Sequence, residues 1–292
     1  MKDLLKKLRR YEIRIRKAIN SQMQGDFHSI FKGSGIEFDD VRTYQYGDDV
    51  RTIDWKTSAK GHGTFVKTFK EEKEQTIFFM LDVSASNEIG QAGNQKQDVA
   101  REICGVLSLA AGKESSMMGL LCFSDQKELH LKPKKGIKQS YEIISALERL
   151  EPKSKKTNLN EAIVTTLNIL KKKSVIILIS DFIDQDFTHN LKGLARKHDV
   201  VMIRVTDKRE THLPSLGIVP VIDKESGKQA WINTSFGDFK DKITGFSTEN
   251  GAQLERFSIR NQINYVSIDT NEDFVPKLIR LFKIRNRTLK KG

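Results

Sequence analysis

Five oxygen-bearing side chains follow a pattern that could bind a metal ion. Asp82, Ser84 and Ser86 alternate at the end of an apolar run, in the stretch TIFFMLDVSASNEIG. Thr157 stands at the start of a predicted helix, and Asp181 directly follows a second apolar run, VIILIS. In an open α/β sheet, ligands bind beyond the carboxyl ends of the strands, which is where these residues fall. Because the set contains no His or Cys, it favours a hard cation.

The balance of charged and neutral donors indicates binding rather than catalysis. Hydroxyl groups of Ser84, Ser86 and Thr157 can bind Mg²⁺ as neutral ligands, while Asp82 and Asp181 supply charge directly or through water. So few charges leave the ion attractive to a carboxylate from another molecule. Mg²⁺ is the expected metal, with Mn²⁺ or Ca²⁺ as alternatives. A carboxylate of the chain itself, such as one from Glu37–Asp40, is an alternative occupant of the open position.

A purely structural interpretation competes with the metal site. Ser84 and Ser86 could cap a turn, and Asp181 could cap a helix. Any one of these residues fits that interpretation, whereas all five together favour the metal site.

The elements from residue 76 onward alternate between strands and helices. The apolar runs TIFFML, MMGLLCF, SVIILIS, VVMIRV and INYVSI lack polar alternation, which is typical of strands buried on both faces of a parallel sheet. Helical patterns separate them, near residues 95–112, 138–150, 158–171, 187–197, 236–256 and 272–286. The sequence therefore predicts an α/β fold with a doubly wound, mostly parallel sheet flanked by helices.

Two further segments predict hairpins. QKELHLK alternates between polar and apolar residues, which predicts an antiparallel strand at the sheet edge. LGIVPVIDKESGKQAWI predicts a hairpin that turns near Ser226 and Gly227.

The first 75 residues differ from the rest in character. Residues 1–32 predict a basic amphipathic helix, residues 33–75 a small β-rich region, and residues 76–292 the α/β domain. A basic amphipathic helix can lie on a membrane surface, although packing of its apolar stripe on the parent domain is commoner. That stripe consists of Leu4, Leu8, Tyr11, Ile15 and Ile19.

The composition predicts a soluble globular protein. The 292 residues are 38% hydrophobic and 30% charged, with no apolar segment long enough to span a bilayer. The absence of a secretory pattern at the N-terminus predicts a cytoplasmic location. Cys104 and Cys122 lie in apolar stretches, which predicts two buried, reduced thiols.

The net charge of +12 raises the question of nucleic acid. Basic residues cluster at Lys2–Lys17, Lys132–Lys138 and Lys153–Lys156, but aromatic residues that would stack on bases are nearly absent there. A solvated basic surface, or attraction to an acidic protein partner, is therefore the favoured interpretation.

The candidate metal residues resemble the metal-ion-dependent adhesion site of von Willebrand factor A domains. Its signature is Asp-x-Ser-x-Ser after the first strand, a Thr in a later loop and an Asp after the fourth strand. Asp82, Ser84, Ser86, Thr157 and Asp181 match these positions without substitution. The resemblance implies that they hold the metal and that a partner's Asp or Glu completes its shell.

An upstream segment narrows the resemblance to one bacterial family. The stretch GIEFDDVRTYQYGDDVRTIDWKTSAK is similar to the signature of domain-of-unknown-function family 58 (DUF58), in which Gly-Asp-Asp-x-Arg-x-Ile-Asp-Trp precedes a von Willebrand-like domain. The likeness runs from about residue 30 to the C-terminal VSIDTNEDFVPKLIRLF. It implies a MoxR-type AAA+ ATPase as partner, and it implies no established catalytic activity. The matching signature residues are Gly47, Asp48, Asp49, Arg51, Ile53, Asp54 and Trp55.

The signature segment is interpreted as structural. Its charges predict a buried or half-buried ion-pair cluster that fixes the small region onto the α/β domain, with Gly47 in a tight turn and Trp55 anchoring the packing. Direct contact with a partner is the alternative. His62 is expected to be an exposed loop residue. The predicted cluster consists of Arg42, Asp48, Asp49, Arg51 and Asp54.

Together these patterns predict a non-enzymatic, metal-dependent adaptor that works with a MoxR-type ATPase in protein assembly, maturation or metal insertion. A phosphatase-like hydrolase with Asp82 as nucleophile is an alternative. Such chemistry favours a second acid two residues after the nucleophile as proton donor, but that position holds Ser84. The sequence contains no Gly-x-Ser-x-Gly elbow, which a serine hydrolase requires, and no Walker A sequence, which an NTPase requires. A nucleic-acid-binding protein remains the third alternative.

Overall fold

The computed structural model describes residues 6, 10, 13, 35–61, 63–72, 76–211, 215–222, 224–225, 227, 229–235 and 237–289. Contacts divide the chain into a small unit, Phe31–Gln75, and a large unit, Met1–Ile30 with Thr76–Gly292. The apolar stripe of the predicted N-terminal helix and His62 lie outside the described residues. The predicted boundaries near residues 32 and 75 stay a prediction.

The small unit is built on one antiparallel pair, β1 (Gly35–Thr43) with β2 (Phe65–Glu72). The predicted β-rich region also contains helical turns, because a 3-10 turn at Val50–Thr52 and a helical turn at Trp55–Ser58 lie between the strands. The helical turn forms because the Asp54 carboxylate accepts hydrogen bonds from the free backbone N–H groups of Lys56 and Thr57.

The large unit is organised around a six-stranded sheet. In chain order its strands are β3 Thr76–Asp82, β6 Met117–Phe123, β7 Lys127–Lys135, β8 Val175–Ser180, β9 Asp199–Thr206 and β12 Asn264–Asp269. Their spatial order is β12, β9, β8, β3, β6 and β7, and all neighbours run parallel except the edge pair β6–β7. The predicted doubly wound, mostly parallel sheet is thereby confirmed.

Two small hairpins accompany this sheet in the large unit. β4 (Gly90–Gln91) pairs with β5 (Asn94–Gln95), and β10 (Ile218–Ile222) pairs with β11 (Gln229–Asn233), both antiparallel. The two predicted hairpins, β6–β7 and β10–β11, are confirmed.

Six helices connect or flank the strands of the large unit, within the part that the structure describes. Each lies within a few residues of its predicted range, because amphipathic periodicity is a local property of the sequence. Their ranges are α1 Lys96–Lys113, α2 Ile137–Arg149, α3 Leu159–Ile169, α4 Thr188–Lys197, α5 Gly237–Arg260 and α6 Phe274–Leu289. None of the described helices is long and apolar enough to cross a membrane.

The order of the strands places a switch point between β3 and β8. The chain adds β6 and β7 on one side of β3 and then returns to its other side for β8, β9 and β12. Loops that leave β3 and β8 diverge there, which opens a crevice at their carboxyl ends.

The central strands of the sheet are buried because they are apolar on both faces. All of β8 and all but the first residue of β3 are buried. Cys104 and Cys122 are both buried and unpaired, as the sequence predicted. Burial raises the pKa of both thiols, so neither thiolate forms near neutral pH.

Gly119 on β6 marks a tight point in this core, and replacing it by alanine should destabilise the protein. A Cβ atom there would lie 2.8 Å from the Cδ2 atom of Phe78 and 3.0 Å from the Cγ atom of Pro133. We expect Gly119→Ala to lower the free energy of unfolding by about 1–3 kcal/mol, measured by urea denaturation.

Gly193→Ala in α4 is the matched control. A Cβ at Gly193 meets no atom within 4 Å, and alanine favours a helix, so this change should be neutral or stabilise by up to about 1 kcal/mol. Equal effects of the two substitutions would contradict the close packing at Gly119.

Candidate metal centre

Asp82 and Asp181 lie at the switch point of the sheet. Asp82 is the last residue of β3, and Asp181 directly follows β8. The two strands are parallel neighbours, with Leu81 of β3 paired with Ile179 of β8. Both carboxylates therefore leave the sheet at the same edge, where a ligand site is expected.

Asp82, Ser84 and Ser86 form one hydrogen-bonded group. The Oδ1 atom of Asp82 accepts hydrogen bonds from the backbone N of Ser84 at 3.0 Å and from its Oγ at 2.6 Å. The Ser84 and Ser86 hydroxyls lie 3.1 Å apart. Asp82 and Ser84 are buried and Ser86 is half-buried, so the group opens outward at Ser86. The structure thus brings together three of the five predicted ligands.

A residue that the sequence did not predict completes the surroundings of Asp82. The Oγ of Ser180, the last residue of β8, donates to the Oδ2 of Asp82 at 2.7 Å and accepts from the backbone N of Phe182 at 3.0 Å. Its side chain fixes the carboxylate between two strands. The only sequence signal was its place at the strand end, directly before Asp181.

The environment of Asp82 favours a nearby positive charge. Burial, followed by the negative charge of Asp181, raises the pKa of Asp82 to about 6, although hydrogen bonds from Ser84 and Ser180 act in the opposite direction. A buried carboxylate of this kind gains stability when a cation approaches it.

Asp181 is paired with a buried lysine that the sequence analysis missed. The Nζ of Lys96, the first residue of α1, donates to the Oδ2 of Asp181 at 2.8 Å and also to the carboxylate of Glu210. Its side chain is 0% exposed. Burial alone lowers the pKa of Lys96, but the two carboxylates outweigh burial and raise it, so the ammonium stays charged.

One sequence signal for Lys96 was available. A cation at the first position of a helix is electrostatically unfavourable, because the helix dipole places positive charge there. A lysine at such a position therefore indicates a specific partner, and here the partners are Asp181 and Glu210.

The Thr157 loop is joined to the Ser84–Ser86 loop by backbone contacts. The N–H of Ala85 donates to the carbonyl oxygen of Lys155 at 3.0 Å. On its other side, the N–H of Asn158 donates to the carbonyl oxygen of Ser124 at 3.1 Å, and Asn158 caps α3. These bonds hold Thr157 beside the loop that follows β3.

Glu128 on β7 also holds the loop that carries Thr157. Its carboxylate accepts hydrogen bonds from the Oγ of Ser124 at 2.6 Å and from the backbone N–H groups of Lys153 and Ser154 at 2.9 and 3.0 Å. Burial raises the pKa of Glu128, but these hydrogen bonds outweigh burial and hold the pKa below its usual value. Glu128 is a positioning residue for the Thr157 loop.

The Thr157 hydroxyl itself contacts a carboxylate from the β10–β11 hairpin. Its Oγ1 donates to the Oε1 of Glu225 at 2.6 Å. The neighbouring Lys224 forms an ion pair with Glu88 at 3.4 Å, in the 3-10 turn Ala85–Glu88 that follows Ser84. No sequence pattern indicated that the turn of the β10–β11 hairpin reaches the candidate site.

The donor set fits a hard divalent cation. Within the described part of the chain, no three His, Cys, Asp or Glu side chains form a metal cluster, and the predicted set contains only two carboxylates besides its three hydroxyls. Oxygen donors of this kind suit Mg²⁺, Mn²⁺ or Ca²⁺. The surroundings add the carboxylates of Glu210 and Glu225 and the buried ammonium of Lys96, which pairs with Asp181 and Glu210.

The signature charges of the small unit form two separate pairs rather than the predicted single cluster. Arg42 donates two hydrogen bonds to Asp48, at 2.8 and 2.6 Å, and Arg51 pairs with Asp49 at 3.0 Å. None of these four side chains is buried. Asp54 instead caps the helical turn Trp55–Ser58. The predicted buried or half-buried cluster does not form as one unit, because each acid is satisfied by a neighbour in sequence, although Asp48 and Asp54 are half-buried.

Two more predictions for the small unit have clear outcomes. Gly47 has a φ of +103° in the turn that the N–H of Asp48 closes onto the carbonyl oxygen of Gln45, so its predicted role is confirmed. Trp55 is 71% exposed, and the prediction that it anchors the packing of its unit is wrong.

Comparisons with known proteins identify relatives along most of the chain. The chain is 24% identical over 285 residues to an uncharacterised protein of Mycobacterium tuberculosis and equally to one of Mycobacterium bovis, covering 96% of this chain and 89% of each relative.

Several solved structures overlap with the chain in part. The conserved hypothetical protein BatB from Bacteroides thetaiotaomicron has a TM-score of 0.45 at 14% identity, over 73% of this chain and 99% of that chain. The SpRpn10 VWA domain has a TM-score of 0.41 at 11% identity, over 70% and 94%. The manganese-loaded Plasmodium vivax TRAP protein has a TM-score of 0.35 at 13% identity, over 72% of each chain.

A family model decides the assignment. The model described as "Protein of unknown function DUF58" matches residues 40–253, which include the signature residues Gly47–Trp55, the whole candidate site and most of the sheet. The chain belongs to the DUF58 family.

Proposed function

We propose that this protein is a non-enzymatic adaptor that binds a partner through a divalent metal ion. Asp82, Ser84, Ser86, Thr157 and Asp181 would hold the ion, Mg²⁺ in the first place and Mn²⁺ or Ca²⁺ as alternatives. When bound, the ion supplies an open coordination position for a carboxylate. The observation that carries this proposal is the buried group of Asp82 and Ser84, which opens to the surface at Ser86.

The hydrogen bonds around Asp82 support binding rather than hydrolysis. A phosphatase-like nucleophile needs a proton donor nearby, but the residue two positions on is Ser84, whose hydroxyl already donates to Asp82. Both oxygens of Asp82 accept hydrogen bonds from side chains. A carboxylate held in this way is suited to orient ligands and poorly suited to attack a phosphorus atom.

The rim of the site supports an acidic partner. Lys153, Lys155 and Lys156 precede Thr157 and are exposed. Their positive charges would speed the approach of an acidic surface and orient it toward the metal. The proposed partner is a MoxR-type AAA+ ATPase, as the family resemblance implies, in protein assembly, maturation or metal insertion in the cytoplasm.

The test is binding of the purified MoxR-type ATPase of the source organism, measured by biolayer interferometry in Mg²⁺. We expect Asp82→Asn to weaken binding at least about tenfold, which corresponds to a loss of about 1.4 kcal/mol. Comparing variants at constant Mg²⁺ is essential, because EDTA would also change the nucleotide state of the ATPase.

Asp186→Asn is the matched control for this experiment. Asp186 is an exposed carboxylate in the same loop as Asp181, and its left-handed φ of 62° is one that asparagine tolerates. Equal binding by wild type, Asp82→Asn and Asp186→Asn would overturn the metal-bridged contact. Binding that collapses with salt in all three would instead indicate a purely electrostatic surface.

A further inference from the structure

The turn of the β10–β11 hairpin contacts the candidate metal site at two points. Glu225 accepts the hydrogen bond of Thr157, one of the five proposed ligands, at 2.6 Å. Lys224 pairs with Glu88, two residues beyond Ser86, at 3.4 Å. Two consecutive residues of one turn therefore touch both loops that carry hydroxyl ligands.

The hairpin is a peripheral element of the large unit. Its strands form a two-stranded sheet of their own, and most of their side chains are exposed. An isolated two-stranded hairpin is only marginally stable. The Lys224–Glu88 pair is itself exposed, at 54% and 44% of the two side chains, and exposed pairs contribute little to stability. The tip can therefore leave the site without disturbing the central sheet.

Glu225 has the chemistry that the proposed open position requires. An acceptor carboxylate within hydrogen-bonding distance of a ligand hydroxyl lies beside the place where the ion would sit. A carboxylate oxygen is also the ligand that a hard cation takes up most readily. Because the hairpin is tethered to the same chain, its effective concentration at the site is in the millimolar range.

We propose that Glu225 is a built-in occupant of the candidate metal site and that a partner's Asp or Glu replaces it. This inference rests on the proposed function and adds its regulation. A free carboxylate competes poorly with the tethered one, so only a partner that brings further contacts displaces the hairpin. Glu225 thereby keeps the site closed to small anions and acidic segments that lack those contacts.

The test uses Mn²⁺ alone as the probe, with wild type, Glu225→Gln and the matched control Glu161→Gln. Glu161 is an exposed carboxylate four residues beyond Thr157, so the control makes the same chemical change close to the site. Mn²⁺ affinity and the water-proton relaxivity of bound Mn²⁺ are measured together. Relaxivity reports how many exchangeable water molecules the bound ion keeps.

We expect Glu225→Gln to bind Mn²⁺ about tenfold more weakly, because the amide brings no charge to the ion. The bound ion should show a relaxivity higher by the contribution of one water molecule. Glu161→Gln should match wild type in both. Unchanged affinity and relaxivity in Glu225→Gln would overturn the role of Glu225 while leaving the metal site in place. A failure of all three proteins to bind Mn²⁺ would overturn the metal site, and this inference with it.

Binding of the ATPase partner gives an independent test, in which Glu225→Gln should strengthen binding although it weakens the binding of Mn²⁺. Removal of the internal competitor raises the fraction of protein that is ready to bind, so Glu225→Gln should bind the MoxR-type ATPase several-fold more tightly than wild type in Mg²⁺. Weaker binding than wild type would show that Glu225 supports the contact instead of competing with it.

Discussion

Mg²⁺ is expected to raise the thermal unfolding midpoint of the wild-type protein and to leave that of Asp82→Asn unchanged. An ion that binds only the folded state stabilises it by about 2.7 kcal/mol at a concentration of one hundred times its Kd. For a protein of 292 residues, whose unfolding entropy is about 2.1 cal/mol/K per residue, that corresponds to a rise of roughly 4–5 °C. Asp82 supplies the buried negative charge at the centre of the site, so its neutral isostere should lose this stabilisation.

Without metal, the order of stability of wild type and Asp82→Asn should be reversed. Burial and the charge of Asp181 raise the pKa of Asp82 from 3.8 to about 6. The ionised carboxylate of Asp82 therefore lowers the stability of the metal-free fold. This loss of stability develops as the pH rises from about 4 to about 6. In EDTA above that range, Asp82→Asn should be at least as stable as wild type. This comparison separates loss of metal binding from damage to the fold.

The pH dependence of the Mg²⁺ effect follows from the same pKa. In the proposed site Mg²⁺ would bind the ionised carboxylate, so protons would compete with it below about pH 6 and the rise in midpoint should be larger at about pH 7.5 than at about pH 5. Asp186→Asn should behave as wild type throughout. An equal Mg²⁺ effect in wild type and Asp82→Asn would place the ion elsewhere.

Lys96→Met should cause a large loss of stability. The substitution keeps an unbranched, mostly apolar side chain but removes the ammonium that pairs with Asp181 and Glu210. Lys96 and Asp181 are almost fully buried, at 0% and 1% exposure, so an uncompensated carboxylate remains inside the protein. We expect the free energy of unfolding to fall by about 3–5 kcal/mol, measured by guanidinium denaturation in EDTA.

The chain offers a matched control for this substitution. Lys134 also pairs with a glutamate, Glu142, at 3.0 Å, but the two side chains are 59% and 45% exposed. Lys134→Met should therefore change stability by less than about 1 kcal/mol. Adding Asp181→Asn to Lys96→Met should recover part of the loss, because it removes the orphaned charge. A small and equal loss for both lysine substitutions would show that the buried pair contributes little.

The positions of the predicted ligands could be read from the sequence because they depend on local patterns. Apolar runs without alternation indicate buried parallel strands, and the residues that follow such strands share one edge of the sheet. Asp82, Ser84 and Ser86 are also neighbours in the chain, so their contacts form within one loop. The same locality explains why the predicted helices and strands correspond closely to those of the structure.

The signature segment shows where local reasoning was insufficient. Its alternating acids and bases suggested one buried or half-buried cluster, but Arg42 pairs with Asp48 and Arg51 pairs with Asp49 over a few residues. Short-range pairs of this kind can form at a surface, where they need no core around them. Trp55 can stay exposed for the same reason, since the helical turn that carries it is held by the side-chain cap of Asp54.

The sequence by itself determined the order of strands and helices, the parallel sheet and the edge at which the oxygen donors lie. Only the tertiary structure decided which charges surround those donors. Lys96 reaches Asp181 across 85 positions of the chain, and Glu225 reaches Thr157 across 68. Periodicity and strand-end position are encoded within a few residues, whereas these contacts arise when the crossovers of the sheet bring distant segments to one edge. A basic residue in α1 and an acidic residue in a hairpin turn thereby become parts of one site.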